Sequence, residues 1–175
     1  MRVIGGVARG RRLKAKLPPS VRPTTDYARE AIFSMLESRG GLGDLVVADL
    51  YCGSGAMGIE ALSRGAAKVY FVDTDPACLA AAKLNFEPLQ LTGEAVFVRA
   101  NLPVWSPPHD LDLLLADPPY GPLDLGSVLH GVVAGRVIIE NDRHMDAPEG
   151  WNVTKTKRYG TTLVTMLEPS KGDGE

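Results

Sequence analysis

The stretch 113–121, LLLADPPYG, ends an apolar run in an acid, two prolines and an aromatic ring. Those residue types suit one kind of chemistry. The exocyclic amino group of a nucleobase is a poor nucleophile, because its lone pair is delocalised into the ring. Two acceptors bonded to its N–H groups draw the nitrogen towards tetrahedral geometry and free that pair. Asp117 offers a carboxylate as one acceptor and the Pro118 carbonyl is the other, on a backbone that Pro118 and Pro119 stiffen. Tyr120 offers a flat face on which a base can stack once it has been extruded from its own stack or pair. Asp-Pro alone also starts ordinary turns, with Tyr120 then a plain surface aromatic. The position at the end of a buried strand favours the chemical role.

A second constellation lies upstream. In DLYCGSGAMG, residues 49–58, Gly53, Gly55 and Gly58 form G-x-G-x-x-G after a strand, and Asp73 closes the next strand twenty positions beyond Gly53. Such a turn lets the backbone approach an adenosine-containing ligand, with the acid on the ribose hydroxyls. Two cofactors answer to it, a nicotinamide dinucleotide and S-adenosylmethionine. Asp49, four residues before Gly53, bears on the choice: its charge repels a diphosphate and attracts the ammonium of a methionine moiety. A dinucleotide dehydrogenase also has no evident use for Asp-Pro-Pro-Tyr. A tight turn with no ligand is the remaining reading of the glycines.

Both constellations need strands to position them. LVVADL, AKVYFVD, AVFVRA, LDLLLAD and RVIIEN read as strands, several continuously apolar, and GSGAMGIEALSRG, PACLAAAKLNF and a short segment near 125–133 read as helices between them. Alternation of this kind predicts an α/β fold, a doubly wound parallel sheet covered on both faces. In such a sheet the strand ending at Asp117 lies beside the one ending at Asp49, at the carboxyl edge where ligands bind. RPTTDYAREAIFSMLESRGG precedes the sheet as a helix capped among Thr24, Thr25 and Asp26. WNVTKTKRYGTTLVTML follows it as a hairpin turning near Tyr159 and Gly160. The opening RVIGGVARGRRLKAKLP reads as two short strands with glycines between them.

Charge separates that opening from the rest. Residues 1–22 hold seven basic side chains, Arg2, Arg9, Arg11, Arg12, Lys14, Lys16 and Arg22, and no acidic one, while the net charge of the whole chain is -2. A cationic segment on an acidic body suits a polyanion such as nucleic acid, and equally a solvated tail. No apolar run approaches the ~20 residues of a membrane span, no secretory leader opens the chain, and Cys52 and Cys78 form neither a disulfide framework nor a metal-ligand pattern. A cytoplasmic protein without a metal is the expectation.

RVIGGVARGRRL, RPTTDYARE, DLYCGSGAMGIEALSRGA, FVDTD and DPPY, in this order over nearly the whole chain, resemble the class I S-adenosylmethionine-dependent methyltransferases. More narrowly they are similar to the bacterial 16S rRNA guanine-N2 methyltransferases, on the strength of IGG…RGR followed by RPTTD…RE. The resemblance implies a Rossmann-like, seven-stranded, mostly parallel sheet with an antiparallel last strand. It implies a basic N-terminal hairpin over 1–21, a methyltransferase domain over 22–169 and a frayed tail over 170–175. It implies S-adenosylmethionine as cofactor, lined by Asp49, Cys52, Gly53, Ser54, Gly55, Asp73, Thr74, Asn101, Leu102 and Asp117, with Thr25 and Arg29 near its methionine end. Asp117, Pro118, Pro119 and Tyr120 would be catalytic, and Arg9, Arg11, Arg12, Lys14 and Arg22 would meet 16S ribosomal RNA, free or within an assembling small subunit. A monomer is implied, and the guanine comes from the resemblance alone.

Three departures from the family pattern stand out. Asp73 replaces a glutamate, Cys52 replaces a small residue, and LPVWSPPHD is too short and proline-rich for the usual helix. Three rival functions share parts of the pattern. A DNA adenine-N6 or cytosine-N4 methyltransferase would use the same Asp117 chemistry, although no segment is long enough for a separate target-recognition domain. A NAD-binding oxidoreductase would use the glycine loop, and a non-catalytic RNA-binding protein could retain the fold.

Overall fold

The structure is a computed structural model that describes residues 1–15, 25–102, 105–119, 121 and 123–170. Seven strands form one sheet: β1 (Val46–Leu50), β2 (Lys68–Asp73), β3 (Glu94–Arg99), β4 (Leu111–Ala116), β5 (Ala134–Asn141), β6 (Trp151–Tyr159) and β7 (Thr162–Pro169). Their order is β3-β2-β1-β4-β5-β7-β6. The first five are parallel, and β7 runs antiparallel between β5 and β6. The expected mostly parallel sheet with an antiparallel last strand is therefore the observed one. The hairpin β6–β7 turns at Gly160, which has φ +61°, as the sequence indicates.

Helices cover both faces. On one face α1 (Asp26–Glu37) and α2 (Ala56–Ser63) pack Ile32, Phe33, Leu36 and Ile59 against Val47, Phe71, Leu115 and Ile138. On the other, α4 (Leu125–Leu129) sets Leu125, Val128 and Leu129 against Ala48, Val72, Leu114 and Ile139. α3 (Pro76–Phe86) follows β2; Asp75 caps it, accepting the Ala77 N–H at 2.8 Å, and Pro76 occupies its first turn. Thr25 caps α1 in the same way, its Oγ1 accepting from Ala28 N–H at 3.2 Å. Between β3 and β4 no helix forms among the described residues, and Trp105 instead lies against Tyr70 with ring centroids 6.0 Å apart.

The basic opening segment differs from the expected pair of strands. Its two arms meet in one isolated antiparallel bridge, Arg2 with Arg12, supported by bonds from Val3 N–H to Arg11 O at 2.9 Å and from Leu13 N–H to Met1 O at 3.1 Å. Strand pairing is cut short because α2 competes for the same backbone. Glu60, fully buried on α2, accepts the N–H groups of Ile4 at 2.8 Å and Gly5 at 2.6 Å, and pairs with Arg64 at 2.8 Å. Val7 N–H bonds to Ser63 O at 2.8 Å. Gly6, at φ +71°, brings the chain so close that a Cβ there would lie 1.8 Å from Ser63 O. Val3, Ala8 and Leu13 join the core behind this contact.

Ser170 N–H bonds to Gly150 O at 2.8 Å, and the rest of the expected frayed tail, 171–175, lies outside the described residues. No helix among the described residues is long and apolar enough to cross a membrane.

Glu60→Ala takes away one of two acidic partners of Arg64 and leaves two backbone donors unmatched beside the core. It should lower stability by about 3 kcal/mol in urea unfolding and expose the bonds after Arg9, Arg11 and Arg12 to trypsin. Unchanged stability and cleavage would show that the segment is held by other contacts.

Candidate active site

Register fixes the site before any side chain is considered. In a parallel ladder paired residues share a face, and faces alternate along each strand. Asp49 pairs with Phe71 on β2 and with Leu115 on β4, and Leu115 pairs with Ile138 on β5. Two residues beyond these partners come Asp73, Asp117 and Glu140. Four carboxylates therefore end four neighbouring strands on the face covered by α1 and α2, with Asp49 one step behind the other three. Asp117 N–H reaches Leu50 O at 3.4 Å, so the Asp-Pro-Pro turn begins beside the last residue of β1.

The loop after β1 is shaped by these acids. Gly58 N–H donates to Asp49 Oδ2 at 2.8 Å, and Gly53 N–H donates to Asp73 Oδ2 at 3.1 Å. Asp73 Oδ1 accepts Asp75 N–H at 2.9 Å. Gly55, at φ +75°, caps α2 without a side-chain bond, and a Cβ there would press on Ala82 Cβ at 2.8 Å. Ser54 O accepts Asn85 Nδ2 at 3.0 Å, Cys52 N–H donates to Val72 O at 3.2 Å, and Thr74 O accepts Arg99 Nε at 3.3 Å. Ala100 N–H donates to Asp73 O at 3.2 Å, which brings Asn101 and Leu102 just past the tip of β2. Asp49, Cys52, Gly53, Ser54, Gly55, Asp73, Thr74, Asn101, Leu102 and Asp117 thus border one edge of the sheet.

Burial sets the charge states. Burial pushes the Asp49 carboxyl well above its ordinary value, against the Gly58 bond, and the charges of Asp117 and Asp73 add to the rise. Glu140 is pushed up to about 8, first by burial and then by Asp117, with Arg29 opposing. Burial also holds the Cys52 thiol up, so no thiolate forms at neutral pH. Cys52 is a buried, free cysteine that fills space under the loop.

Arg29 is not the solvated charge that its place on α1 suggests. It is fully buried, donating through Nη2 to Arg2 O and pairing with Asp26 Oδ1 at 3.1 Å, while Nε and Nη1 have no partner among the described residues. Thr25 spends its hydroxyl on the helix cap. Arg9, Arg11, Arg12 and Lys14 are exposed, and Arg11 Nη2 donates to Pro88 O at 2.7 Å. Pro118 is buried and Pro119 exposed; Tyr120 and Arg22 lie outside the described residues. Glu140 was not among the sequence candidates. The signal was present, an acid closing an apolar strand as Asp117 does, but with no turn motif behind it.

The edge suits S-adenosylmethionine better than a dinucleotide. The helix N-terminus that holds pyrophosphate in dinucleotide folds is taken here by the Asp49 carboxylate. The charges of Asp73 and Asp117 at the same edge are hostile to a diphosphate and compatible with a cationic sulfonium.

The fold is that of the class I methyltransferases. The chain belongs to the family described as "Conserved hypothetical protein 95", whose pattern matches residues 1–168. It is 35% identical over 185 residues to the Bacillus subtilis (strain 168) protein named "Putative rRNA methyltransferase YlbH", covering 96% of this chain and 98% of that one. It is 37% identical over 124 residues to "Ribosomal RNA small subunit methyltransferase D" of Escherichia coli (strain K12), covering 69% of this chain and 60% of that protein. Among solved structures, "Putative methyltransferase yhhF from Escherichia coli" superposes with a TM-score of 0.79 at 27% identity, over 97% of each chain.

The raised proton affinity of Glu140 has a stability consequence. The folded protein holds a proton there that the unfolded chain has already lost, so stability falls as pH rises from about 4.5 to 8. Buried Asp49 acts in the same direction. Glu140→Gln should flatten the urea-unfolding profile by up to about 1.4 kcal/mol per pH unit in that window. A slope equal to that of the unsubstituted protein would place the Glu140 carboxyl near its ordinary value.

Proposed function

We propose that this protein transfers a methyl group from S-adenosylmethionine to the exocyclic N2 amino group of a guanine in 16S ribosomal RNA. The observation that carries the reading is the meeting of two strand tips: Asp117 beside Leu50, on one face with Asp49 and Asp73. The names of its relatives point to the same substrate class.

When bound, S-adenosylmethionine supplies an activated methyl group on a good leaving group. The chain's residues would hold it by Asp73 at the ribose, by Asp49 at the ammonium and by the backbone of Gly53, Ser54 and Gly55, with Asn101 and Leu102 at the adenine. Thr25 and Arg29 would lie towards the methionine end. The Asp117 carboxylate accepts one N2–H of the guanine and the Pro118 carbonyl accepts the other. This orients the lone pair for in-line attack, and alignment supplies much of the rate. The same carboxylate stabilises the positive charge that develops on the nitrogen and would take the N2 proton released once the N–C bond has formed and the S–C bond has broken. Tyr120 supplies the stacking face.

Arg9, Arg11, Arg12 and Lys14 face solvent on a segment bolted to α2, and with Arg22 they would grip RNA phosphates. The reading implies a monomer working in the cytoplasm, on free RNA or on an assembling small subunit.

Asp117→Ala should lower methyl transfer to 16S rRNA by at least about 1,000-fold while calorimetry finds cofactor affinity within about threefold. Near-normal turnover by that variant would remove Asp117 from the reaction, and transfer to DNA in preference to rRNA would replace the substrate. Residues 1–15 cannot be deleted cleanly, because they are part of the core. The basic segment is therefore tested by reversing Arg9, Arg12 and Lys14 to glutamate. The slope of log affinity for RNA against log salt should fall by roughly 0.7 per lost contact. An unchanged slope would remove the segment from the interface.

A further inference from the structure

We infer that Glu140 is the acceptor that reads the ring N1–H of the target guanine. This rests on the proposed reaction and goes beyond it by naming what selects the base. Three observations carry it.

The first is strand order. Cofactor residues lie at the tips of β1 and β2, transfer occurs at the tip of β4, and β5 is the next strand outward. Glu140 therefore sits on the side of Asp117 away from the cofactor, one strand spacing of about 4.8 Å from it. That is the half of the cleft left for the acceptor base.

The second is an unmet valence. Glu140 is only 4% exposed, yet its Oε1 has no hydrogen-bond partner among the described residues. A buried carboxyl oxygen without a donor costs stability, and native structures keep few of them. A merely structural counter-ion for Arg29 would be expected to bond to it. Arg29 instead donates to Arg2 O and Asp26, and its own Nε and Nη1 stay unmatched.

The third is chemical fit. On the Watson–Crick edge of guanine, the N1–H and N2–H donors lie side by side. Two carboxyls on adjacent strands, pointing to the same face, address two adjacent donors. Asp117 takes N2–H and Glu140 takes N1–H. Adenine presents a lone pair at N1, which faces an ionised Glu140 carboxylate unfavourably, so the ionised residue that positions guanine rejects adenine, and the bases are compared above pH 8.

The test compares RNA carrying guanine at the mapped target nucleotide with RNA carrying 2-aminopurine there. The analogue keeps the 2-amino group and loses N1–H together with O6, so the N1–H contribution is read from how the preference changes at Glu140. Methyl transfer is measured as kcat/KM for the unsubstituted protein, Glu140→Leu and Glu140→Gln. The unsubstituted protein should prefer guanine by about 100-fold. Glu140→Leu should lose most of its activity on guanine and little on 2-aminopurine, so the preference shrinks at least tenfold. Glu140→Gln keeps an oxygen acceptor and should keep most of the preference. Equal losses on both substrates in Glu140→Leu would mark a structural role and overturn the inference. So would rates within threefold on the two substrates for the unsubstituted protein, whether or not the leucine variant folds. A product map that places the methyl group elsewhere than guanine N2 overturns the proposed reaction itself, and that result is read before the two bases are compared.

Discussion

Four acidic side chains close neighbouring strands on one face of the sheet, and much of the surrounding structure serves to hold them there. Burying carboxylates side by side is costly unless donors meet them. Asp49 receives the Gly58 N–H, and Asp73 receives those of Gly53 and Asp75. The glycine loop is therefore tied to the acids at both ends. Its shape is set before any ligand arrives, which is the preorganisation that binding and transfer require. Glu140 has no such backbone donor among the described residues; burial, Asp117 and Asp49 raise its proton affinity, and Arg29 opposes them.

The same economy of buried acids governs the basic segment. Glu60 lies wholly inside the protein and spends its carboxylate on two backbone N–H groups and Arg64. Asn85 adds a second fastening, accepting Ala15 N–H at 2.9 Å while donating to Ser54 O at 3.0 Å. One buried amide thus joins the end of the cationic segment to the cofactor loop. A segment held this way has little conformational entropy left to lose, so its exposed arginines and lysine meet a polyanion at lower ordering cost than a loose tail would.

Much of this was legible in the sequence, and the exceptions have a common cause. Strand tips announce themselves when an apolar run meets a turn signal, as at Asp117 before two prolines and Asp73 before Thr74 and Asp75. Thr25 and Gly160 mark a helix start and a hairpin turn by their local chemistry. Glu140, Glu60 and Arg29 carry no such local mark. Each reads as a polar residue at the end or on the outer face of its element, and each is buried by something distant in the chain. Arg2 and the first glycines cover α1 and α2, a contact that periodicity cannot express. The opening segment misleads for the same reason: its pattern is that of paired strands, but its backbone donors go to Glu60 and Ser63 instead of to each other.

Strand order also orders the chemistry. Parallel strands deliver their carboxyl ends to one edge, and the reversal between β1 and β4 opens the cleft there. Moving outward from β2, the strands carry Asp73, then Asp49 two residues behind the line of the others, then Asp117, then Glu140. A donor and an acceptor molecule laid across such an edge must meet at the third tip, and the fourth can touch only the acceptor. The one buried carboxyl oxygen left without a partner among the described residues is at that fourth tip. A core built for stability alone would bury leucine there at no electrostatic cost. A buried carboxyl oxygen and a buried guanidinium left partly unmatched among the described residues are the pattern expected where stability has been given up to a ligand.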